Sequence, residues 1–426
     1  MIGALTTMNT QVRIRDDCIP LKFSARPGVL IVGGVIGSLA AARSLGRHGI
    51  AVWLLTDDSP LPGLSRYVAR TLNWNGPQEE KAADELVALA KHHGLEGWVL
   101  IPGADKEVRL IAQNHAKLSD TFRLTTPNWD VVQWADDKNL TYQLAARAGL
   151  VVPKRYFPKN LDDVRQLDCR FPVILKPASH HATNAFTLAK AWIAEDRNTL
   201  IERYRQAADG IDQRDIVLQE MIPGDGRSQF SYAAIWHDGR PLAALVATRS
   251  RQYPINVGYT STFVEVVDNP AVADAATRFL SALKYSGAVE VEFKFDARDG
   301  AYKILDVNPR LWAWIGIGEA AGIDFATMLY HTTLGEPLAF TTPSPNAAWM
   351  HFSRDLIAAV QEMAKGRLTT KRYFSAYRKA LTFAVFSIDD PLPMLVELPI
   401  TLYRVLTRRA YFALNGWLTR AAGSDR

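Results

Sequence analysis

The sequence predicts an α/β unit followed by an α+β unit and a helical C-terminal tail. Up to about Trp129, short apolar runs alternate with helical patterns, an order that is typical of a parallel sheet. Further on, strand patterns are joined by short turns at 237–239 and 298–300, which connect antiparallel rather than parallel strands. From about Thr341 a proline-containing linker leads into the patterns of the tail.

The length and composition are those of a globular protein with two to three units. The chain has 426 residues, of which 48% are hydrophobic and 22% charged, so it can bury a large core. Its two cysteines, Cys18 and Cys169, exclude a disulfide framework and a Cys-rich metal site. No apolar run reaches the ~18 residues of a membrane span, and no secretion signal is recognisable. We therefore expect a cytoplasmic location.

The positive charge is concentrated near the C-terminus. From Lys365 onward the chain carries eleven Lys and Arg residues against four Asp and Glu, and the remainder is slightly acidic. The pI near 9.0 does not indicate nucleic-acid binding, because the body shows no nucleic-acid fold motif and no basic–aromatic stripe. The basic and apolar stretch from Ile400 to Arg420 could contact an anionic membrane, or it could dock on its own protein or on a partner subunit, which we favour slightly; a homodimer is compatible with it.

In the first unit we predict strands at 29–32, 51–55 and 98–101 and helices at 39–47 and 79–92. Glycines at 33, 34 and 37 follow the first strand, and such a turn lets a phosphate approach the backbone at a helix N-terminus. Asp57-Asp58 ends the second strand, where a ribose-binding acid would lie. However, Val32 occupies the place of the first fingerprint glycine. NAD(P) binding and a simple tight turn both stay open.

In the middle unit we predict strands at 171–177, 216–220, 231–236, 289–295 and 302–308, and helices at 199–208, 271–284 and 318–334.

The last two of these strands carry acids on one face. If the loop between them has three residues and a left-handed glycine, Glu292 lies opposite Asp306, and Glu290 lies opposite Asn308. Opposed carboxylates repel each other unless a cation lies between them, and oxygen ligands are typical of Mg²⁺. The alternative is a solvated hairpin face. The sequel Asn308-Pro309-Arg310 favours a cation site, because it adds an amide and a guanidinium beside the acids.

Lys176 ends the apolar strand before Pro177. A lysine in this place is often an edge charge. Here the loop that follows is made of small and polar residues and could close over a phosphate. The tandem His180-His181 has no further ligand at metal spacing and is not a metal site.

In chain order these motifs resemble those of the ATP-grasp superfamily, and the resemblance covers roughly residues 29–337. Within it the chain is most similar to carboxylate–amine ligases, near the carbamoyl-phosphate-synthetase and D-aspartate-ligase-like branches. Two departures are the absence of glycine from the loop after Lys176 and Asp306 in a place where Glu is commoner. The matching stretches are Asp137-Lys138 with Gly149 and Pro153, the strand ending in Lys176-Pro177, Leu218-Gln219-Glu220-Met221-Ile222-Pro223-Gly224, Val291-Glu292-Phe293, and Leu305-Asp306-Val307-Asn308-Pro309-Arg310.

The resemblance implies a pre-ATP-grasp, Rossmann-like domain at 28–130 and a two-lobed ATP-grasp domain at 131–340. An irregular leader at 1–27 and the basic helical tail at 341–426 flank them. The implied activity is carbon–nitrogen ligation, in which ATP activates a small carboxylate as an acyl phosphate for attack by an amine or similar nucleophile. ATP and Mg²⁺ would be the cofactors, and Mn²⁺ could substitute for Mg²⁺.

The resemblance also assigns roles to residues. Arg310 would stabilise the acyl phosphate, and Lys176 would act both in catalysis and in phosphate binding. The remaining implied ligands are Lys138 for phosphate, Gln219, Glu220, Met221 and Ile222 for adenine, Asp225 for ribose, and Glu292, Asp306 and Asn308 for Mg²⁺. Independently of the family, Arg249 and Arg251 are candidates for a substrate carboxylate, since arginine forks suit that group; surface charges on an exposed strand are the alternative.

Two other functions remain open at this stage. An NAD(P)-dependent oxidoreductase would use the glycine-rich turn, but it leaves the cluster around Glu292 and Asp306 unexplained. A non-catalytic ATP-binding module would not need the complete set of lysines and acids.

Overall fold

The structure is a computed structural model. It describes residues 26–56, 61–77, 81–177, 184, 186–187, 191–253, 260–336 and 341–399. Almost all of the predicted leader and the whole basic stretch from Ile400 to Arg420 lie outside these residues. So do Asp57-Asp58 and the loop at 178–183.

Within the described residues the strands are β1 Val29–Val32, β2 Val52–Thr56, β3 Arg70–Asn73, β4 Val99–Pro102, β5 Arg123–Leu124, β6 Arg155–Tyr156, β7 Val173–Pro177, β8 Trp192–Ala194, β9 Ile216–Glu220, β10 Gln229–His237, β11 Arg240–Tyr253, β12 Thr260–Val266, β13 Gly287–Asp296, β14 Ala301–Asn308, β15 Ala347–Met350 and β16 Ala380–Phe383. The helices are α1 Ile36–Arg47, α2 Ala82–His93, α3 Asp105–Gln113, α4 His115–Ser119, α5 Trp129–Asp136, α6 Lys138–Arg147, α7 Leu161–Gln166, α8 Arg197–Ala208, α9 Pro270–Ala282, α10 Ile317–Ala321, α11 Phe325–Thr333, α12 Phe352–Ala364 and α13 Thr370–Ser375. Residues 392–399 are also helical.

The first unit is a five-stranded parallel sheet in the order β3-β2-β1-β4-β5. All four residues of β1 are completely buried, as expected for a central strand covered on both faces. The predicted strands here are confirmed. The edge strands β3 and β5 escaped prediction because they are short and lack an apolar run.

A four-stranded antiparallel sheet in the order β6-β9-β7-β8 follows. Its core is formed by apolar side chains of β7 and β9 with α8, including Leu175, Leu218 and Tyr204.

The third sheet has seven strands in the order β14-β13-β10-β11-β12-β15-β16. It is antiparallel except for the pair β15–β16. Successive residues of β10 enter different cores, so that Ala233 and Ile235 pack with β1 and α1, whereas Ala234 and Trp236 pack with α9. Helices and the parallel sheet therefore cover both faces of this sheet.

The prediction of a wholly helical tail needs correction. Strands β15 and β16 extend the large sheet. The prediction missed β15 because its four-residue run, Ala-Ala-Trp-Met, is too short to show a strand pattern. Past β16, Asp390 forms a buried ion pair with Arg43 of α1 at 2.9 Å. This part of the chain is therefore built into the body of the protein.

The helix predicted at 318–334 is two helices, α10 and α11. Gly322 adopts φ +76° after α10, a left-handed conformation that ends a helix and that glycine adopts without strain.

Candidate active site

The hairpin β13–β14 places Glu292 opposite Asp306 and Glu290 opposite Asn308, as predicted. The turn differs from the prediction. It has four residues, 297–300, and a β-bulge beside Glu292 shifts the register by one residue. Gly300 has the expected positive φ of +71°. The bulge compensates for the longer turn, so the two acids still face each other.

Three side chains share the carboxylate of Glu292. Arg249 of β11 lies 2.5 Å from one oxygen, and the Asn308 amide donates to the same oxygen at 3.1 Å. Gln229 donates to the other oxygen at 3.2 Å. Glu292 is thus held in place by donors from three strands of the large sheet.

Glu290 lies deeper and is 4% exposed. The Trp314 indole N–H donates to it at 3.0 Å, and the Asn308 amide donates at 3.2 Å. Burial, together with the charge of Glu292, raises the pKa of Glu290. Glu290 is therefore a buried neighbour of Glu292, and both carboxylates accept hydrogen bonds from Arg249 and Asn308.

Two lysines approach the hairpin from other elements. The Lys138 ammonium lies 2.7 Å from the Asp306 carboxylate, at the start of α6, where Asp137 caps the helix by accepting from the Asn139 N–H at 2.7 Å. Burial alone would lower the pKa of Lys138, but the negative charges around it, that of Asp306 above all, and the Asp306 hydrogen bond together outweigh burial and raise that pKa. Burial and the nearby charge of Lys138 lower the pKa of Lys176 to about 8.

The residues predicted to bind a metal lie on neighbouring strands, where the Asn308 amide turns its nitrogen to Glu292 and its oxygen to Arg310. Two carboxylates and one amide, from Glu292, Asp306 and Asn308, match the preference of Mg²⁺ for oxygen. Arg249 and Lys138 pair with the two acids, so a cation arriving there would replace charge that the protein now supplies itself. Among the described residues no group of three or more His, Cys, Asp or Glu is arranged for a metal; the candidate set instead combines two acids with an amide.

The predicted adenine strand β9 lies beside this cluster, but its acid points elsewhere. Glu220 accepts from Lys303 at 2.9 Å, from Arg298 at 3.2 Å and from the Lys154 N–H at 2.9 Å. Cations of the β13–β14 hairpin thus hold the Glu220 side chain, and its contact with adenine stays a prediction.

The neighbours of Glu220 have different environments. Gln219 is buried and accepts from the Tyr142 hydroxyl at 3.5 Å. The Met221 N–H donates to the Pro172 carbonyl at 3.1 Å, and Ile222 is buried. Asp225 caps the short 3-10 turn Gly226–Ser228. It pairs with Arg227 at 2.7 Å, and this pairing lowers the pKa of Asp225.

The two arginines of β11 are separated by the structure. Arg249 joins the acid cluster, whereas Arg251 forms a buried bidentate pair with Asp355 of α12 at 2.8 Å for both bonds. Arg251 also stacks 4.0 Å above the ring of Phe263. An irregularity in β11 between Thr248 and Arg251 breaks the period of two on which the prediction rested. Internal acids hold both arginines, and the binding of a substrate carboxylate by them stays a prediction.

Arg310 links the hairpin to the parallel sheet. Its guanidinium lies 2.5 Å from Asp105 at the start of α3 and 3.3 Å from the Asn308 amide oxygen. Sequence reasoning missed Asp105, because it lies more than 200 positions away with no motif around it. Arg310 thus stands beside the predicted metal ligands, as expected, with an exposed acid as its partner.

The glycine-rich turn is filled by the protein itself. Ser38 donates to the Gly33 carbonyl at 2.9 Å, and the buried carboxylate of Glu107 packs against the Cα of Gly33. A Cβ on Gly37 would lie 2.8 Å from the Trp312 carbonyl oxygen. The glycines are explained by these close approaches, and a buried carboxylate at the turn would repel a phosphate.

Comparison with known proteins supports the same interpretation. Residues 256–341 match the family model described as the carbamoyl-phosphate synthase L chain, ATP binding domain. The chain is 24% identical to D-aspartate ligase of Enterococcus faecium over 229 residues, which is 50% of this chain and 53% of that protein. It is 22% identical to the carbamoyl phosphate synthase large chain of Methanobrevibacter smithii, over 46% of this chain and 18% of that protein. The chain therefore spans about half the length, or less, of these curated relatives.

Solved structures show the fold. L-amino acid ligase from Bacillus licheniformis matches with a TM-score of 0.57 and 18% identity, over 74% of this chain and 76% of that one. N5-carboxyaminoimidazole synthetase from Staphylococcus aureus matches with a TM-score of 0.61 and 14% identity, over 81% and 87%. A biotin carboxylase from Campylobacter jejuni, solved with β-γ-ATP, matches with a TM-score of 0.59 and 15% identity, over 76% and 74%. The resemblance to ATP-grasp carboxylate–amine ligases is confirmed.

Proposed function

We propose that this protein is an ATP-dependent carbon–nitrogen ligase that activates a small carboxylate as an acyl phosphate and joins it to an amine. The observation that carries the proposal is that two lysines lie close to two carboxylates that face each other across the β13–β14 hairpin. Lys138 touches Asp306, and Lys176 lies close enough for the charges of Lys138 and Asp306 to shift its pKa. Phosphoryl transfer requires such positioning and charge neutralisation more than covalent chemistry.

The chemistry follows from the leaving group. An oxide leaves a carboxylate too poorly for an amine to displace it, whereas the phosphate of an acyl phosphate leaves readily. Mg²⁺, or Mn²⁺ in its place, would neutralise charge on the transferring phosphoryl group when it is bound.

In this proposal Glu292, Asp306 and Asn308 hold that ion. Asp306 then no longer needs Lys138 as its counter-charge, so that Lys138 and Lys176 can both contact phosphate oxygens. Arg310 contributes positive charge beside the acyl phosphate and the tetrahedral adduct that forms from it.

The other parts of the chain have supporting roles in the proposal. Residues 28–130 serve as a pre-ATP-grasp domain, and the backbone after β9 contacts the adenine. The carboxylate and the amine are small molecules, and the activity belongs in the cytoplasm, where ATP is supplied. An oxidoreductase built on the glycine-rich turn is disfavoured by Glu107, which occupies the turn.

The test is ADP release with Mg²⁺ in the presence of a panel of carboxylates, each with and without amines. Calorimetry with a non-hydrolysable ATP analogue should show Mg²⁺-dependent binding that Lys176→Ala weakens severely. The control Lys91→Ala, on an exposed turn of α2, should leave binding unchanged. Tight NAD⁺ binding without any response to ATP would rule the proposal out.

A further inference from the structure

Exposed apolar side chains are concentrated in one part of the protein. Of the fifteen large hydrophobic residues that are exposed in the described chain, eleven lie between positions 352 and 398. The exposures reach 69% at Leu395 and 86% at Ile388. Single exposed hydrophobic residues are normal, but a concentration of this kind marks an interaction surface.

Seven of the eleven lie on two helices that touch each other. Glu397 accepts from Ser353 at 3.1 Å and lies 3.3 Å from His351, so the helix at 392–399 packs against the start of α12. Exposed residues flank this link on both sides, with Phe352 next to Ser353 and Leu398 next to Glu397. We call the two the apolar helix pair, and its exposed residues are Phe352, Leu356, Ile357, Val360, Leu392, Leu395 and Leu398.

The exposed charges of residues 341–399, the segment that contains the apolar helix pair, are positive. The acids at 341–399 are already engaged, since Asp355, Asp389 and Asp390 pair with arginines of β11 and α1, Glu362 pairs with Arg367, and Glu397 binds Ser353. The exposed side chains of Lys365, Lys371, Arg372 and Arg378 are left as the dominant surface charges.

The same chemistry continues along the sequence. The 27 residues from Ile400 to Arg426 contain five arginines and a single acid, Asp425, among many aliphatic and aromatic residues. Both the described surface and the chain that follows it thus combine apolar with cationic side chains.

We propose that the apolar helix pair docks on an anionic lipid surface. Apolar side chains enter the boundary between headgroups and acyl chains, while lysine and arginine side chains remain among the anionic headgroups. Among the described residues no helix is long and apolar enough to cross a membrane.

Charge complementarity favours lipid over the other occupants. A second copy of this chain would bring two segments with exposed positive charges together, and the side chains of residues 400–426 would add a net charge of +4 to such a segment. An anionic headgroup layer is attracted to both.

The experiment measures binding of the full chain to vesicles of equal parts phosphatidylcholine and phosphatidylglycerol, with pure phosphatidylcholine as the neutral comparison. We expect binding to the anionic vesicles that high salt weakens. The variant Leu395→Ser/Leu398→Ser should bind at least about tenfold more weakly, because each leucine loses apolar burial. Lys371→Gln/Arg378→Gln should also reduce binding, by about fivefold per charge. The control Phe157→Ser removes an equally exposed hydrophobic residue that follows β6 of the four-stranded sheet, and it should have no effect on vesicle binding.

Each alternative occupant has its own signature. If the leucine variant turned a dimer into a monomer in sedimentation velocity, a second copy would be the occupant. If it lowered the melting temperature without changing vesicle binding, residues 400–426 would cover the surface. Either result, or an absence of binding to anionic vesicles, would overturn the proposal. Nucleotide binding, measured on the same samples, is independent of all these outcomes.

Discussion

The two ends of the β13–β14 hairpin carry similar charges in opposite arrangements. At the turn end, Asp296 and Glu220 alternate with Lys303 and Arg298, with nitrogen–oxygen distances between 2.5 and 3.2 Å. At the other end, four side chains with carboxylate or amide oxygens face each other in two pairs. At the first end both cations belong to the hairpin, and they pair with its own Asp296 and with Glu220 of β9. The second end depends on cations that come from α6 and β11.

The pKa shifts express this difference. Bonds from Arg298 and Lys303 hold the pKa of Asp296 well below its usual range. In contrast, burial and the charge of Glu292 raise the pKa of Glu290. The paired charges at the turn end stabilise the fold. Acids that face other acids lower the stability, and a protein retains such a cluster where its function requires it.

The largest effect expected from this contrast is on turnover at the open end. Asp306→Asn and Glu292→Gln keep the shape but remove an anion beside the metal, and we expect the rate to fall about 10³-fold or more, because metal stabilisation is worth several kcal/mol. Glu292→Gln should leave the melting temperature unchanged or higher, because repulsion from Glu290 is relieved, whereas Asp306→Asn should lower it, because Lys138 loses its counter-charge. ADP release and thermal unfolding are measured on the same samples, with Asp274→Asn on the exposed side of α9 as the control. Wild-type turnover in both variants would show that these acids do not bind the metal.

The closed end should show the reverse pattern. Asp296 is completely buried, and Asp296→Asn leaves Lys303 and Arg298 with too little negative charge, so we expect a loss of about 3–5 kcal/mol in the free energy of unfolding. The pKa of Asp296 is depressed in the folded state, so its contribution is present above the ordinary pKa of about 4 and is lost as the pH falls below it.

Urea unfolding tests this prediction, with Asp162→Asn, which belongs to an exposed pair, as the control expected to change stability by under about 1 kcal/mol. Turnover per folded molecule should stay within a few-fold of wild type. If Asp296→Asn left stability intact but abolished turnover, the two ends of the hairpin would have exchanged roles in our interpretation.

Prediction from sequence succeeded where the information is local. The alternation in β13 and β14 gave the face that Glu292 and Asp306 occupy, because the periodicity of a strand fixes which side chains share a face. Their pairing agrees with the prediction only because the bulge compensates for the longer turn. It failed where the partner is distant in sequence. Nothing near Arg251 points to Asp355, and nothing near Arg310 points to Asp105, since both pairs arise from the packing of separate units.

Strand β9, which carries the predicted adenine ligands, illustrates a second limit of prediction from sequence. A motif gives the position of Glu220, but the direction of its side chain is decided by Lys303 and Arg298 on another sheet. The strands β15 and β16 were missed for a related reason, because four-residue segments gain their stability from the sheet that they join rather than from their own pattern.

Arg310 can be either a catalytic cation or a structural link between the units, and two variants distinguish these roles. If it acts on the developing charge of the acyl phosphate, Arg310→Ala should lower kcat by about 10²–10³ while ATP affinity stays within a few-fold. Asp105→Asn removes the ion pair but keeps the arginine, so its kcat should fall much less. Equal losses of melting temperature in the two variants, with turnover per folded molecule unchanged, would identify a link between the units instead.

The smallest effect concerns Lys176, whose pKa burial and the charge of Lys138 lower to about 8. The charged form should fall about tenfold between pH 7 and pH 9. The Mg²⁺-dependent affinity for the ATP analogue, measured by calorimetry, should fall with it, because binding to the phosphate then requires the uptake of a proton. Lys176→Arg stays charged and should lose this pH dependence. Stability should change in the opposite direction, because the unfolded chain binds more protons between pH 8 and about 10.4, so that the free energy of unfolding rises with pH across that window. An ATP affinity that is constant from pH 7 to pH 9 in wild type and variant alike would mean that Lys176 does not contact the phosphates.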